Sequence, residues 1–524
     1  MPTSWVRAAD TTPMRITVNS TADTIQADQV LTLREAIHWV NGTRSTAQLS
    51  PAEKRQILGS PTSKAITIAF DLPRDRPTIL LQELLPAIVR AKVTLDGTTQ
   101  PGYQEAPIVP PVAPPVTTPV VPPALAPIAT PIVTIAPAPD RTVLRGLTLA
   151  ADQITVRGLA IQGFTGTHQA TAPLPPADIF ITRADSTTKI PEGIWIDRNW
   201  IGRSPDAQIK VRSAFGVVIF HGSATMVHQN QIVNHDGSGI LTGSTAEYTQ
   251  IIRNVIESNG FAGMPDAIRL EGNINGAEIH QNQILNNAGS GIYFFKTEGK
   301  TMIHHNQLDG NGQSYQRAAI YVMGKNHEIV RNIITQQSGS GVAVSAYPTS
   351  DRIRIQDNSF SKLQGLSIDL VSQFNTNPQD YQQGDGANFA NLGKGGRAKT
   401  ANHGIDAPEF YSREFFISPI QKTVTIEGKA LPNAMINLYR VTEAGSSQGP
   451  LNQPLTNVEA NPTGHFSITL PITTLQPGDL ITAIALHPHY GTSEPALNAT
   501  IQSLPPHNHN NHNHRRTDVP PERL

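Results

Sequence analysis

Cysteine is absent from the chain, which removes disulfides, cysteine-ligated zinc, iron–sulfur clusters and thiol nucleophiles at once. Charge is scarce and balanced: 40 Lys+Arg against 41 Asp+Glu leave a net −1, and only 15% of residues are charged. A nucleic-acid binder would carry a basic face and a high pI, so no nucleic-acid partner is expected. Wholesale disorder is excluded too, because it needs low hydrophobicity together with high net charge. Long apolar runs are missing as well. Met1–Thr24 lacks the apolar stretch of about 7–15 residues that a secretory signal requires. Ala106–Pro139 is long and weakly polar, but 12 of its 34 residues are proline. Each interior proline removes a backbone donor and clashes with the preceding turn, so no membrane span is expected. The 524 residues allow roughly three or four domains of ordinary size.

What the chain does contain is a repeat. Asn199, Asn230, Asn254, Asn282, Asn306, Asn332 and Asn358 follow one another at spacings of 31, 24, 28, 24, 26 and 26 residues. Three positions before each stands an aliphatic residue, from Ile196 to Ile355, and two positions after stands an apolar one, from Ile201 to Phe360. Between these phrases run short alternating strands, most led by glycine, such as Gly216–Phe220, Gly239–Leu241, Gly291–Phe295, Gly341–Val344 and Gly365–Ile368. Short strands recurring at this period predict a solenoid of parallel strands, because one coil cannot bury its apolar side alone. Stacked coils would place each Asn over the next, about 4.8 Å apart. A buried amide is tolerated only when its donors and acceptors are satisfied, which a ladder achieves. A helical repeat is a poor fit to so much Gly, Asn and β-branched residue.

Upstream, Leu31–Ile37 (LTLREAI), Val93–Tyr103 (VTLDGTTQPGY) and Val156–Phe164 (VRGLAIQGF) resemble recurrent phrases of the bacterial right-handed parallel β-helix proteins with a pectate-lyase-like fold. The first resembles their CSLREAI motif, with Leu31 where the family usually has cysteine. The third places Leu159 at the ladder position one coil before Asn199. The resemblance covers about residues 15–375 and implies an all-β, right-handed parallel β-helix solenoid and an extracellular or cell-surface location. It leaves the reaction open, since fold does not imply function. Leu33–Val40 has apolar residues at helical spacing, and is expected to cap the first coil within an N-terminal segment of about 25–60. Proline-rich segments at 106–130 and 165–192 interrupt the repeat and are expected to be loops, where recognition often sits.

After residue 375 the periodicity changes. Residues 376–404 are expected to form a linker or last coil. Residues 405–503 read as a small Ig-like β-sandwich, with strands at Thr423–Glu427, Ala434–Val441, His465–Leu470 and Leu480–His487 and turns at Asn433 and Gly464. Thr492-Ser-Glu494 resembles the TSEFS-type ending of Ig-like modules that follow such β-helices, departing from it at Pro495. Residues 504–524 read as a disordered His/Asn-rich tail, and its histidines (His507, His509, His512, His514) are expected to be too loosely held to form a metal site.

The outward positions of the Gly-led strands form two rows. One reads Val218, Leu241, Arg269, Tyr293, Tyr321, Ala343, Ser367; the other reads Phe220, Gly243, Glu271, Phe295, Met323, Ser345, Asp369. Sugar rings stack on aromatic faces while Arg and Glu bond their hydroxyls or carboxylates. Arg269, Glu271, Tyr293, Phe295, Tyr321 and Met323 are therefore the carbohydrate-binding candidates. A row two residues before the ladder carries His228, His280 and His304. The last two are expected one strand apart, near enough to share a metal or a proton, yet outward histidines are commonly just solvated. No metal and no cofactor are expected. A lyase of uronic-acid polymers needs a group to neutralise the carboxylate, a base and an acid. Arg269 could neutralise, with Lys296, Tyr293 or His304 as base. No cluster of carboxylates suggests calcium, and Glu271 has no opposed partner for glycoside hydrolysis. The residues favour a surface or extracellular protein that binds polysaccharide or a partner surface. The alternatives are a polysaccharide lyase or epimerase, and a non-catalytic structural or adhesion rod.

Overall fold

The phrase Ile279-His-Gln-Asn282-Gln-Ile284 folds as two strands, Ala277–His280 and Gln283–Leu285, joined at a corner where Gln281 adopts φ +56°. The same left-handed conformation recurs at the residue before every ladder Asn: Arg198, Gln229, Arg253, His305, Arg331 and Asp357 have φ between 51 and 56° with Gln229 the lowest. That region disfavours residues with a Cβ, so the ladder bonds must hold it. A computed structural model describes residues 14–59, 63–75, 77–106, 125, 127–166, 174–184, 188–205, 211–375, 381–443 and 446–504. Most of the proline-rich segment, part of the 165–192 insertion and nearly all of the His/Asn-rich tail lie outside the described residues.

Three sheets run the length of the solenoid. The first has twelve strands, from the antiparallel pair Met14–Val18 and Ile57–Leu58 to Arg354–Gln356. The second has ten, from Thr78–Leu81 to Ser359–Ser361, and the third nine, from Arg145–Leu149 to Ile368–Leu370. Coil-to-coil pairing is parallel and in register: Ile251 faces Ile279, Ile279 faces Ile303, and Ile303 faces Ile329. These side chains are at most 1% exposed. Burial of such a side chain contributes about 1.5–3 kcal/mol, repeated at every coil.

The amides stack as the spacing predicts. Asn282 Nδ2 donates to Ile251 O (2.8 Å) and Asn306 Oδ1 (2.9 Å), while its Oδ1 accepts from the Asn254 backbone N–H (2.9 Å). The pattern extends from Asn199, whose Oδ1 accepts from Leu159 N, to Asn358. A second ladder lies five residues further on. Here the His235 backbone N–H donates to Asn259 Oδ1, Asn259 N to Asn287 Oδ1, and Asn287 N to Asn311 Oδ1.

The helix Leu33–Val40 begins with a capping box in which Thr32 and Glu35 bond each other's backbone. Arg34 donates twice to Asp23 and to the carbonyls of Glu83 and Leu84, and Glu35 pairs with Arg44 at 2.6 Å. This is the physical content of the LTLREAI phrase: its charged residues are buried, and each has a partner.

Beyond the last coil, residues 409–503 build a three-stranded sheet and a six-stranded sheet. Thr423–Lys429, Met435–Val441, His465–Pro471 and Leu480–His487 lie where alternation predicts strands, and Asn433 and Gly464 have positive φ. Glu414–Ile417, Gln453–Glu459 and Ala499–Ser503 are further strands that the turn signals did not reveal. This region sits directly on the solenoid. Thr492 N donates to Ile353 O, and Thr492 Oγ1 both accepts from Ile355 N and donates to Ile355 O, meeting the first sheet. At the second sheet Phe360 N donates to Leu451 O, and Asn452 Nδ2 to Phe360 O. At the third, Leu370 N donates to Glu494 Oε1. Residues 381–404 pack between the two parts: Asn402 Nδ2 bonds the carbonyls of both Ile353 and Thr492.

Candidate functional site

The six carbohydrate candidates lie on the outer face of the third sheet, and parallel pairing sets Arg269 against Tyr293, Glu271 against Phe295 and Tyr293 against Tyr321. That face is covered rather than open. Tyr293 is 2% exposed, Tyr321 0% and Met323 2%. The two tyrosine rings stack at 5.1 Å. Arg269 lies over the rings of Tyr293 and Phe295, 4.7 and 5.0 Å from their centroids, and its charge is already matched by Glu271 (2.6 Å) and Asp266 (3.3 Å). Arg317 reaches in from the corner after Asn311 to bond Asp266 at 3.0 Å. Burial pulls the Arg269 guanidinium down, but the facing carboxylates outweigh it and hold its pKa above the ordinary value. Of the six, Arg269, Glu271 and Phe295 are half-buried and the other three are buried. The expected open aromatic groove is thus corrected to an interior layer sealed by Arg317 and Gln382, whose Nε2 lies 3.4 Å from Tyr293 Oη.

Register also differs from the expected rows near the end of the solenoid. Ala343 pairs with Asp369 rather than with Ser367, which puts a carboxyl in the tyrosine row. Asp369 is 1% exposed. It accepts from Ser340 Oγ (3.0 Å), Asp385 N (3.1 Å) and Gly386 N (3.1 Å). Burial, followed by the charges of Glu494 and Asp385, holds its pKa well above the usual carboxylate range. Burial likewise pushes Glu494 up to about 7, against three N–H bonds from Leu370 and Asn388 that favour its charged form.

Asp369 forms part of the floor of a cavity of about 740 Å³ between the last two corners of the solenoid, the 383–387 segment and the 443–450 loop. A second hollow of about 380 Å³ shares Ser338 and Gln364 with it and continues along the corners toward Asn311. Amides and hydroxyls dominate the walls, among them Gln316, Ser338, Gln364, Gln383 and Gln448. The trough lies beside the candidate row but uses different residues. They are legible in the sequence only as Gly/Ser/Gln-rich corners, because the opposite wall comes from residues some 80 positions later.

The other sequence candidates disperse. His304 lies on the first sheet, so it cannot act as a base for an arginine on the third. Lys296 is exposed within the strand Ile292–Glu298, with φ +49°. His228 pairs with Asp197 at 2.8 Å. His280 and His304 are register partners; burial, then the nearby His304, push His280 down to about 4, so it is neutral. One constellation had no sequence signal. Asp178 accepts from Ser213 Oγ (2.5 Å) and pairs with His235 Nε2 (2.9 Å). All three side chains are 0% exposed, and the serine bonds the aspartate rather than the histidine, so nothing activates it as a nucleophile. Burial raises the Asp178 pKa and His235 opposes that rise. The group is an internal brace.

Among known proteins, the family described as "Right handed beta helix region" matches residues 216–379. No relative among curated proteins matches the chain. Similar solved structures include ORF18 of Geobacillus virus E2, at 9% identity over 92% of this chain and 76% of that one, with a TM-score of 0.44. Pectate lyase Pel9A is 12% identical over 71% and 74% of the two chains, with a TM-score of 0.33. The A-module of the Azotobacter vinelandii mannuronan C-5 epimerase AlgE4 is 12% identical over 66% and 95%, also with a TM-score of 0.33. The chain is a right-handed parallel β-helix, followed by a separate, largely antiparallel sheet region at its C-terminal side.

Proposed function

We propose that this is a surface or extracellular protein that binds a polysaccharide in the trough at the C-terminal end of the solenoid. One observation carries the reading: a cavity of about 740 Å³ that shares Ser338 and Gln364 with one of about 380 Å³, lined mostly by glycines, amides and hydroxyls, with Asp369, Glu443 and Lys362 as its ionisable groups. Amides and hydroxyls both donate and accept, as sugar hydroxyls require. The elongated shape suits several residues of a polymer. In this reading Tyr293, whose Oη lies 3.4 Å from Gln382 Nε2, and Tyr321 stacked on it support the wall beside Gln383, and Arg269, Glu271, Phe295 and Met323 lie outside the trough's lining. A lyase or epimerase has one observation in its favour, the carboxyl of Asp369 in the floor, but Arg269 is neutralised internally by Glu271 and Asp266.

Glycan-array screening of the full chain, followed by titration of the best polymer against Gln316→Ala and Gln364→Ala, tests the proposal. Neither side chain has a role in the ladders, so each variant should fold and lose at least tenfold in affinity. Binding that survives both changes, or no binding to any glycan, overturns it. Unsaturated products absorbing in the ultraviolet would establish the lyase instead.

A further inference from the structure

The outer face of the first sheet, away from the trough, brings together three side chains with metal-ligand chemistry. His280 and His304 pair in register on adjacent strands, with ring planes 6° apart and centroids separated by 4.7 Å. Glu278 precedes His280 by two residues, so strand alternation puts both on one face. Its Oε1 lies 2.7 Å from His304 Nε2. One ligand atom from each of the three falls within 4.8 Å of the others. All three are half-buried, reachable from solvent yet held by the sheet.

The geometry points to a binding site for a first-row divalent transition ion, of which zinc is the type, formed by Glu278, His280 and His304. Two imidazoles and one carboxylate are a donor set suited to borderline ions, whereas calcium and magnesium take oxygen alone. Three protein ligands leave a position for water or a ligand. A Zn–N distance of about 2.1 Å at a tetrahedral angle brings two nitrogens to about 3.4 Å. The rings, now at interstrand spacing, must therefore tilt toward each other by about an ångström, which outward side chains can do without disturbing Ile279 and Ile303 beneath.

Two further features fit. His305, turned by its φ of +54° at the corner, places Nδ1 2.8 Å from His304 Nδ1. A hydrogen bond there orients the His304 ring and leaves Nε2 for the ion, the usual arrangement around a metal-bound imidazole. The 2.7 Å contact between Glu278 Oε1 and His304 Nε2 is the one a cation would replace. Arg253 and Arg331 are the cations near the cluster, and Arg253 is turned away to Gln281 Oε1 (3.0 Å). His228 does not take part, because Ile252 stands between it and His280 in the ladder of strands. Being on another sheet, this site is independent of the polysaccharide reading.

The test is calorimetric titration of zinc chloride into the full chain carrying His507→Asn, His509→Asn, His512→Asn and His514→Asn, which silences the other histidine-rich segment. One zinc per chain is expected. Added singly to that background, His280→Ala and His304→Ala should each weaken binding at least tenfold, Glu278→Gln should weaken it less, and His228→Ala should leave it unchanged. Cobalt should give a visible band that His304→Ala abolishes. Circular dichroism checks that the outward substitutions leave the sheets intact. No zinc uptake, or uptake indifferent to both histidine changes, overturns the assignment.

Discussion

Replacing Asn282 with alanine tests the ladder at a fully bonded interior rung. The side chain is fully buried. Its loss strands the Asn254 backbone N–H, which donates to Asn282 Oδ1 at 2.9 Å, and removes the donor to Ile251 O at 2.8 Å. The Asn254 amide itself loses less, since its Nδ2 also reaches Val227 O and Ile252 O. Two buried backbone groups left unsatisfied, at about 1–3 kcal/mol each with part of the cost shared, give about 2–4 kcal/mol. The left-handed corner at Gln281 loses its restraint at the same time. Urea denaturation followed by far-ultraviolet circular dichroism should show the midpoint falling at constant slope. Gln283→Ala, an adjacent and partly exposed position, is the control and should stay within about 0.5 kcal/mol. If Asn282→Ala behaves like that control, the ladder does not hold the coils.

Two further outcomes follow from the buried groups. Glu494 has a folded-state pKa of about 7 against an ordinary 4.5, so the folded protein keeps its proton while the unfolded chain loses it. Its contribution is therefore fully present below about pH 4.5 and lost as pH rises toward 7, by about 3 kcal/mol at most. Asp369 acts in the same direction. Thermal melts between pH 5 and 8 should show the native chain losing stability as pH rises; Glu494→Gln should flatten that slope, and an unchanged slope would refute the assignment. Tyr321→Ala removes a fully buried ring stacked on Tyr293, so it should cost about 3–5 kcal/mol of stability. Wild-type stability with lost glycan binding would instead restore Tyr321 to the binding surface.

The solenoid was legible because its determinants are local and repeat: an aliphatic, an asparagine and another apolar residue at fixed offsets specify a corner and two strands. The second ladder escaped notice because its rungs are chemically mixed. His235, Asn259, Asn287, Asn311 and Gln337 all stand five residues after a ladder Asn, but only three of them share a residue type. What covers the outer rows is hidden from the sequence for another reason. Alternation tells which face of a sheet a side chain takes, not what lies over that face. Arg317 and the 382–387 segment reach the third sheet from two separate parts of the chain, and period-2 reasoning has no access to such contacts. Aligning Gly341 with Gly365 by their glycines also placed the last strand two residues out of step, hiding Asp369 in the wrong row.

The bonds from Thr492, Leu451 and Glu494 to the final coil have a consequence for growth. A stack of near-identical turns has no natural length, and an uncovered terminal turn would recruit another molecule as readily as its own next repeat. The C-terminal region occupies that position on all three sides, so the strand edges of the last coil are paired within the chain and closed to further pairing.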